Sequence, residues 1–319
     1  MRKPRSPVSN GSDGIVAMLP LLALLAGAVA LGSSPILVRL SELEPTATAF
    51  YRVALAAPAF LLFSWANLKP VSPDSGAASI ELLWLIAAGA FFALDLLCLH
   101  WSLRYTSVVN ATLFLNFAPI FVSLGAWVAF REPPRPRTAL SYIISIGGVA
   151  LLVGSVSSFT RGKLFGDGLG LAAGAAYGAY LLVVGRYRDR TSTSVVMGVT
   201  TLSCACALLP ATLAMGESLV PGTWTGWATL MALALITHAG GQGLLVFAMR
   251  YFPAFTSSVT LLLQPVVAAA AAWIIFNETL GPWQILGAAI VLLGILLCHG
   301  ATTRGGTGPA ERKNLRLRN

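Results

Sequence analysis

Charge is scarce in this chain: only 10% of its 319 residues are Asp, Glu, Lys or Arg, while 56% are hydrophobic. Soluble domains carry about 25% charged residues. A chain so poor in charge cannot cover a water-facing surface, so lipid must be its solvent. Cysteine is sparse too. Cys98, Cys204, Cys206 and Cys298 sit in apolar stretches with no CxxC pair and no Cys/His set, so they are expected to be small buried side chains. There is no HExxH, no Ser/His hydrolase constellation, and no glycine loop followed by Lys-Ser/Thr. No metal, no cofactor and no catalytic residue is therefore expected. The net charge of +9 does not point to nucleic acid, because the basic residues lie in the tails and in short gaps between apolar runs.

Apolar runs are what the chain has instead. A membrane-crossing helix needs about 20 such residues. Charge, Pro and Gly punctuate the sequence into ten candidates, at roughly 15–37, 46–66, 81–103, 108–130, 138–156, 167–186, 193–214, 225–249, 254–276 and 283–299. Arg2, Lys3 and Arg5 before the run Ile15–Leu31 imitate a secretory signal. We read that run as a retained first helix, because its removal would break the repeat described next. With the N-terminus inside, only Arg39, Arg104, Arg161 and Lys163 of the 21 basic residues fall in outer gaps, and Arg52 falls within a span. Both termini are then cytoplasmic, in a bacterial-type inner membrane.

Shifted by 146 residues, the chain matches itself. Arg104-Tyr105 falls on Arg250-Tyr251, Pro119 on Pro265, Trp127 on Trp273, Glu132 on Glu278, Pro136 on Pro282 and Gly148 on Gly294. Apolar similarity alone would align Leu and Ala, not Arg-Tyr, Pro, Trp and Glu in one register. Five spans per copy is an odd number, so the second copy enters the membrane from the opposite side. The fold class expected is an all-α membrane protein of ten helices in two inverted five-helix repeats, 15–156 and 157–300, between a tail at 1–14 and a basic tail at 301–319. Inverted repeats are characteristic of secondary transporters, with the substrate site near mid-membrane between the halves.

The two stretches FLNFAPIFVSLGAWVAFRE (Phe114–Glu132) and LLQPVVAAAAAWIIFNE (Leu262–Glu278) each set a Pro in a helix that closes with an acidic residue, and a Gly-containing span follows each. They resemble the end of an EamA domain, and the resemblance to the EamA-type drug/metabolite transporter superfamily covers roughly residues 20–300. It implies a ten-span exporter or permease for amino acids, metabolites or toxic analogues. An importer of the same fold, a passive channel and a membrane-embedded enzyme are the alternatives. Lipid and a small-molecule substrate are the partners expected, and a homodimer stays open.

Polar side chains inside a span are costly and are functional candidates by default. At about 1.5 Å per residue, Arg52 lies about 9 Å and Asp95 about 12 Å from the outer ends of their spans. They are expected to reach each other, or one substrate of opposite charges, with a structural ion pair as the alternative. His238 and Gln242 share one face of the eighth span, and one of them is expected to line the cavity. Asn116 and Gln264 flank Pro119 and Pro265, where a kinked helix exposes carbonyls to a polar substrate; a purely structural kink would explain them equally. Tyr177, with Tyr51 and Trp101, could stack on a substrate or belong to the interfacial belt. His100 is expected at the outer interface. Glu132 and Glu278 are expected to be structural, closing their helices. Gly166, Gly170, Gly174 and Gly178 form a smooth stripe for close helix packing. An intramembrane aspartyl protease would need Asp95 and Asp167 at one depth, which the spans do not give.

Overall fold

The computed structural model describes residues 11–66, 75–106, 108–131, 133, 136–153, 161–188, 191–276 and 281–304. Glu132, Glu278 and most of both tails lie outside the described residues. Among the described residues there are helices and no strands. Nine helical stretches are long and apolar enough to cross a membrane, from Met18–Arg39 to Pro282–Gly300, and Pro136–Leu152 is a shorter apolar tenth. The fifth span is short because Pro136 starts its helix, Pro136–Val153, where a missing N–H costs nothing. The outward faces are apolar: Val128 is 80% exposed, and Ile274 and Leu296 are each 70% exposed. Only lipid suits such a surface.

The contacts themselves carry the inversion. In the fifth and tenth spans, a Cβ on Gly148 would stand 2.8 Å from the Gly287 carbonyl oxygen and 2.7 Å from the Val291 nitrogen. A Cβ on Gly294 would stand 2.9 Å from the Ser141 carbonyl oxygen and 2.9 Å from the Ser145 nitrogen. Adding 146 to Ser141, Ser145 and Gly148 gives Gly287, Val291 and Gly294, so each contact maps onto the other when the halves are exchanged. Phe92 and His238 are also 146 apart, and their rings stack at 5.4 Å. A residue that touches its own mate lies beside the two-fold axis. That axis therefore passes between the third and eighth spans and between the fifth and tenth.

Breaks in the helices shape the interior. The first span stops at Gly32 and restarts as Ser34–Arg39 with Pro35 in its first turn. The fourth divides into Val108–Leu115 and Ala118–Phe130, and the ninth into Ala254–Thr260 and Leu263–Phe276. Pro119 and Pro265 account for both breaks, since each lacks the N–H its helix needs. The eighth span is unexpected: Leu233–Gln242 forms a π-helix within it. Such segments are rare and collect at functional sites. The stripe from Gly166 to Gly178 abuts the end of the third span and the fourth span, where Cβ atoms would come within 2.8 to 3.1 Å of Thr106, Phe114 and Phe121.

Candidate functional site

Polar side chains from opposite repeats converge on one cavity. Arg52 comes from Pro45–Ala54, Asp95 from Ser75–Tyr105, Tyr177 from Arg161–Tyr187, Gln242 from the π-helix and Gln264 from Leu263–Phe276. All five line one cavity. Phe92, Leu96, Leu99 and Leu103 complete the wall from the third span. Asp95, Leu99 and Leu103 recur every fourth residue, so the helix turns one face to the cavity.

Arg52 and Asp95 face the same space without forming an ion pair. Among the described residues, the single pair closer than 4.0 Å joins Arg104 and Glu44 at 3.5 Å, on the exposed rim. Arg52 donates from Nη1 to Ser34 Oγ at 2.9 Å, which uses the helix break to fix the guanidinium. Its Nε is buried without a protein hydrogen-bond partner, and so are Asp95 Oδ1 and Gln242 Nε2. Leaving a buried polar atom unpaired costs about 1–3 kcal/mol, and more for a charged group. Four such atoms, His100 Nε2 included, belong to side chains that line this one cavity.

The other wall is aromatic. Tyr177 stacks on Tyr180 at 5.8 Å, Phe92 lies 4.9 Å from Tyr180, and Tyr177 Oη donates to Gln242 Oε1 at 3.2 Å. His238 does not line the cavity. It is buried behind Phe92, with Nε2 2.8 Å from Thr201 Oγ1 and Phe60 against its edge. Asn116 is also buried and outside the lining; its carbonyl accepts from Tyr142 Oη at 3.4 Å. Tyr51 donates to the Leu219 carbonyl at 2.7 Å and Trp101 to Thr46 Oγ1 at 3.0 Å, away from the cavity. Asp167 accepts from Thr106 Oγ1 at 2.7 Å. That places it about 16 Å along the third span from Asp95, too far for an aspartyl dyad.

His100 departs from expectation. It is 2% exposed, not interfacial, and its Nδ1 sits 3.0 Å from the Pro45 carbonyl oxygen. With Pro35, Val38 and Leu103 it borders both the inner cavity and a wider outer space ringed by Arg39, Glu42, Glu44 and Arg104. Pro35, Val38, His100 and Leu103 form a neck between site and mouth. The mouth is held in shape by caps: Glu217 accepts from the Ala47 amide at 2.7 Å, and Glu42 accepts from the Thr223 amide at 3.1 Å. Ser34 and His100 escape sequence reasoning because serine in a membrane helix commonly bonds its own carbonyls, and a histidine near a span end reads as interfacial. Their available signals were the Gly-Ser-Ser-Pro break and the helical spacing from Asp95.

Two inverted halves enclosing a polar cavity that opens toward one face define a polytopic membrane transporter. The EamA-like transporter family matches residues 18–154 and 164–299, two copies whose starts differ by the same 146 residues. The chain belongs to that family, whose members are transporters and not enzymes. It is similar to an uncharacterized transporter of Archaeoglobus fulgidus, 26% identical over 81% of this chain and 89% of that one. The uncharacterized transporter YwfM of Bacillus subtilis is 23% identical over 83% of this chain and 88% of its own. A solved crystal structure of a protein 15% identical to this one superposes with a TM-score of 0.72, covering 91% of this chain and 98% of that one, which shows the shared fold.

Proposed function

We propose that the protein is a secondary transporter, an exporter or permease of the inner membrane, that moves a small polar metabolite such as an amino acid by alternating access. Both termini face the cytoplasm in this reading, and the two repeats are 15–156 and 157–300. The observation that carries it is the pair of oppositely charged side chains, Arg52 and Asp95, on one cavity wall without direct contact. A substrate carrying both charges would satisfy Arg52 Nε and Asp95 Oδ1 together, with Gln242 and Tyr177 completing its polar contacts and Phe92 covering its apolar part. Gln264 lines the same wall, and Asn116 and His238 support it from behind.

Purified protein in liposomes tests this. Vesicles preloaded with an unlabelled amino-acid mixture are expected to accumulate the labelled mixture transiently, and the initial rate is expected to saturate. Flux that rises linearly with concentration and shows no counterflow would mark a channel. Liposomes indistinguishable from protein-free ones would refute transport of this class.

A further inference from the structure

The repeat register assigns a second gate that is shut in this structure. The neck consists of Pro35 and Val38 on the first span and His100 and Leu103 on the third, which line both the inner and the outer cavity. Adding 146 carries these positions to Leu181 and Val184 on the sixth span, and to Val246 and Met249 on the eighth and at its end. All four mates are 0% exposed, and all belong to a single buried apolar cluster. Contacts elsewhere obey the same exchange, as the Gly148 and Gly294 pairs do. One sequence-related set thus lines two adjoining cavities while its counterpart is packed solid. In an inverted repeat, that difference is what separates the state open to one face from the state open to the other.

We infer that Leu181, Val184, Val246 and Met249 form the seal on the face of the chain termini, and that they part to line the exit when the neck closes. The two gates are chemically unlike. The neck carries His100 and leads to a charged rim, whereas the seal is four apolar side chains. Arg52 and Asp95 also have uncharged mates, Gly198 and Gly241. The two cavity charges therefore stay with the first repeat, and the seal itself is apolar, while the rim positions Glu42 and Arg104 map onto Arg188 and Arg250. This deepens the transport reading, but its test requires no flux.

Leu103→Cys, Val246→Cys and Met249→Cys are each introduced into the full-length protein in sealed vesicles, with a C-terminal tag fixing sidedness. The probe is a membrane-impermeant cationic methanethiosulfonate, and labelling is read cysteine by cysteine by mass spectrometry. Buried Cys204 serves as the internal control for unfolding. Leu103→Cys is expected to react from the face opposite the termini, and Val246→Cys and Met249→Cys from the terminal face. Adding Leu181→Glu places a charge where only the parted seal can hydrate it. That change is expected to speed labelling of Met249→Cys by about tenfold or more and to slow Leu103→Cys in parallel. Should Leu181→Glu expose Cys204, Leu181→Thr carries the same comparison. The inference is overturned if Val246→Cys and Met249→Cys stay as protected as Cys204 in both vesicle orientations, or if they react from the face that reaches Leu103→Cys. Reciprocal labelling in a protein without flux would sustain the gate and refute the transport reading instead.

Discussion

Arg52→Ala and Asp95→Asn are each expected to cut transport by about a hundredfold, the effect of truncating one charge in a buried charged contact. Neither is expected to lower the melting temperature of the purified protein beyond what loss of the Arg52 bond to Ser34 explains. A direct structural ion pair would behave differently: removing one partner would strand the other and destabilise the fold by about 3–5 kcal/mol. Here no N–O contact shorter than 4.0 Å joins the two, and each already holds a buried atom unpaired. Asp95→Asn keeps the side chain's size and removes the desolvation cost of a buried carboxylate, so its stability is expected to hold; Arg52→Ala also loses the bond to Ser34, at about 1.5–3 kcal/mol. Loss of flux with retained melting temperature assigns the pair to substrate. Loss of both would return it to structure.

Gly148→Leu is expected to prevent correct assembly, while Gly147→Leu, one residue away, leaves it intact. A Cβ on Gly148 meets backbone atoms of Gly287 and Val291 at 2.8 and 2.7 Å, and backbone cannot swing aside. A Cβ on Gly147 meets nothing within 4 Å. Overpacking of this kind costs about 1–3 kcal/mol when side chains can move, and more when they cannot. The measurement is the fraction of protein eluting as a single species in detergent, together with its melting temperature. Gly294→Leu should repeat the failure, because Gly294 makes the mirror contacts with Ser141 and Ser145. Equal behaviour of Gly147→Leu and Gly148→Leu would mean that the fifth and tenth spans do not meet there.

Much of this was legible in the residues. Apolar runs marked the spans because a membrane helix must satisfy its backbone internally and show lipid only apolar side chains. The Arg-Tyr, Pro, Trp and Gly matches 146 apart marked the repeat, and the family matches begin at the same spacing. Pro119 and Pro265 marked the divided fourth and ninth spans, because proline removes a specific donor. The π-helix at Leu233–Gln242 was not legible, since its sequence reads as an ordinary apolar helix. Nor was the division between lining and support. His238 and Gln242 stand one turn apart, yet Gln242 borders the cavity while His238 bonds Thr201 behind Phe92. That outcome depends on which neighbouring helix covers which side of the eighth span, and periodicity within one helix carries no such information. His100 is buried for the same reason: the stretch after the first-span break, together with Pro45, covers a histidine that a span-end position would leave at the interface.

The central claim is that Arg52 and Asp95 serve a substrate in the cavity between the two halves. Its most direct test is an extracellular and intracellular metabolite profile of cells overproducing the native protein, compared with cells overproducing Arg52→Ala/Asp95→Asn at equal membrane abundance. The expected result is a shift confined to a few small metabolites bearing both a positive and a negative group, present with the native protein and absent with the double variant. The same shift in both strains would contradict the account, as would a native profile matching that of cells lacking the protein.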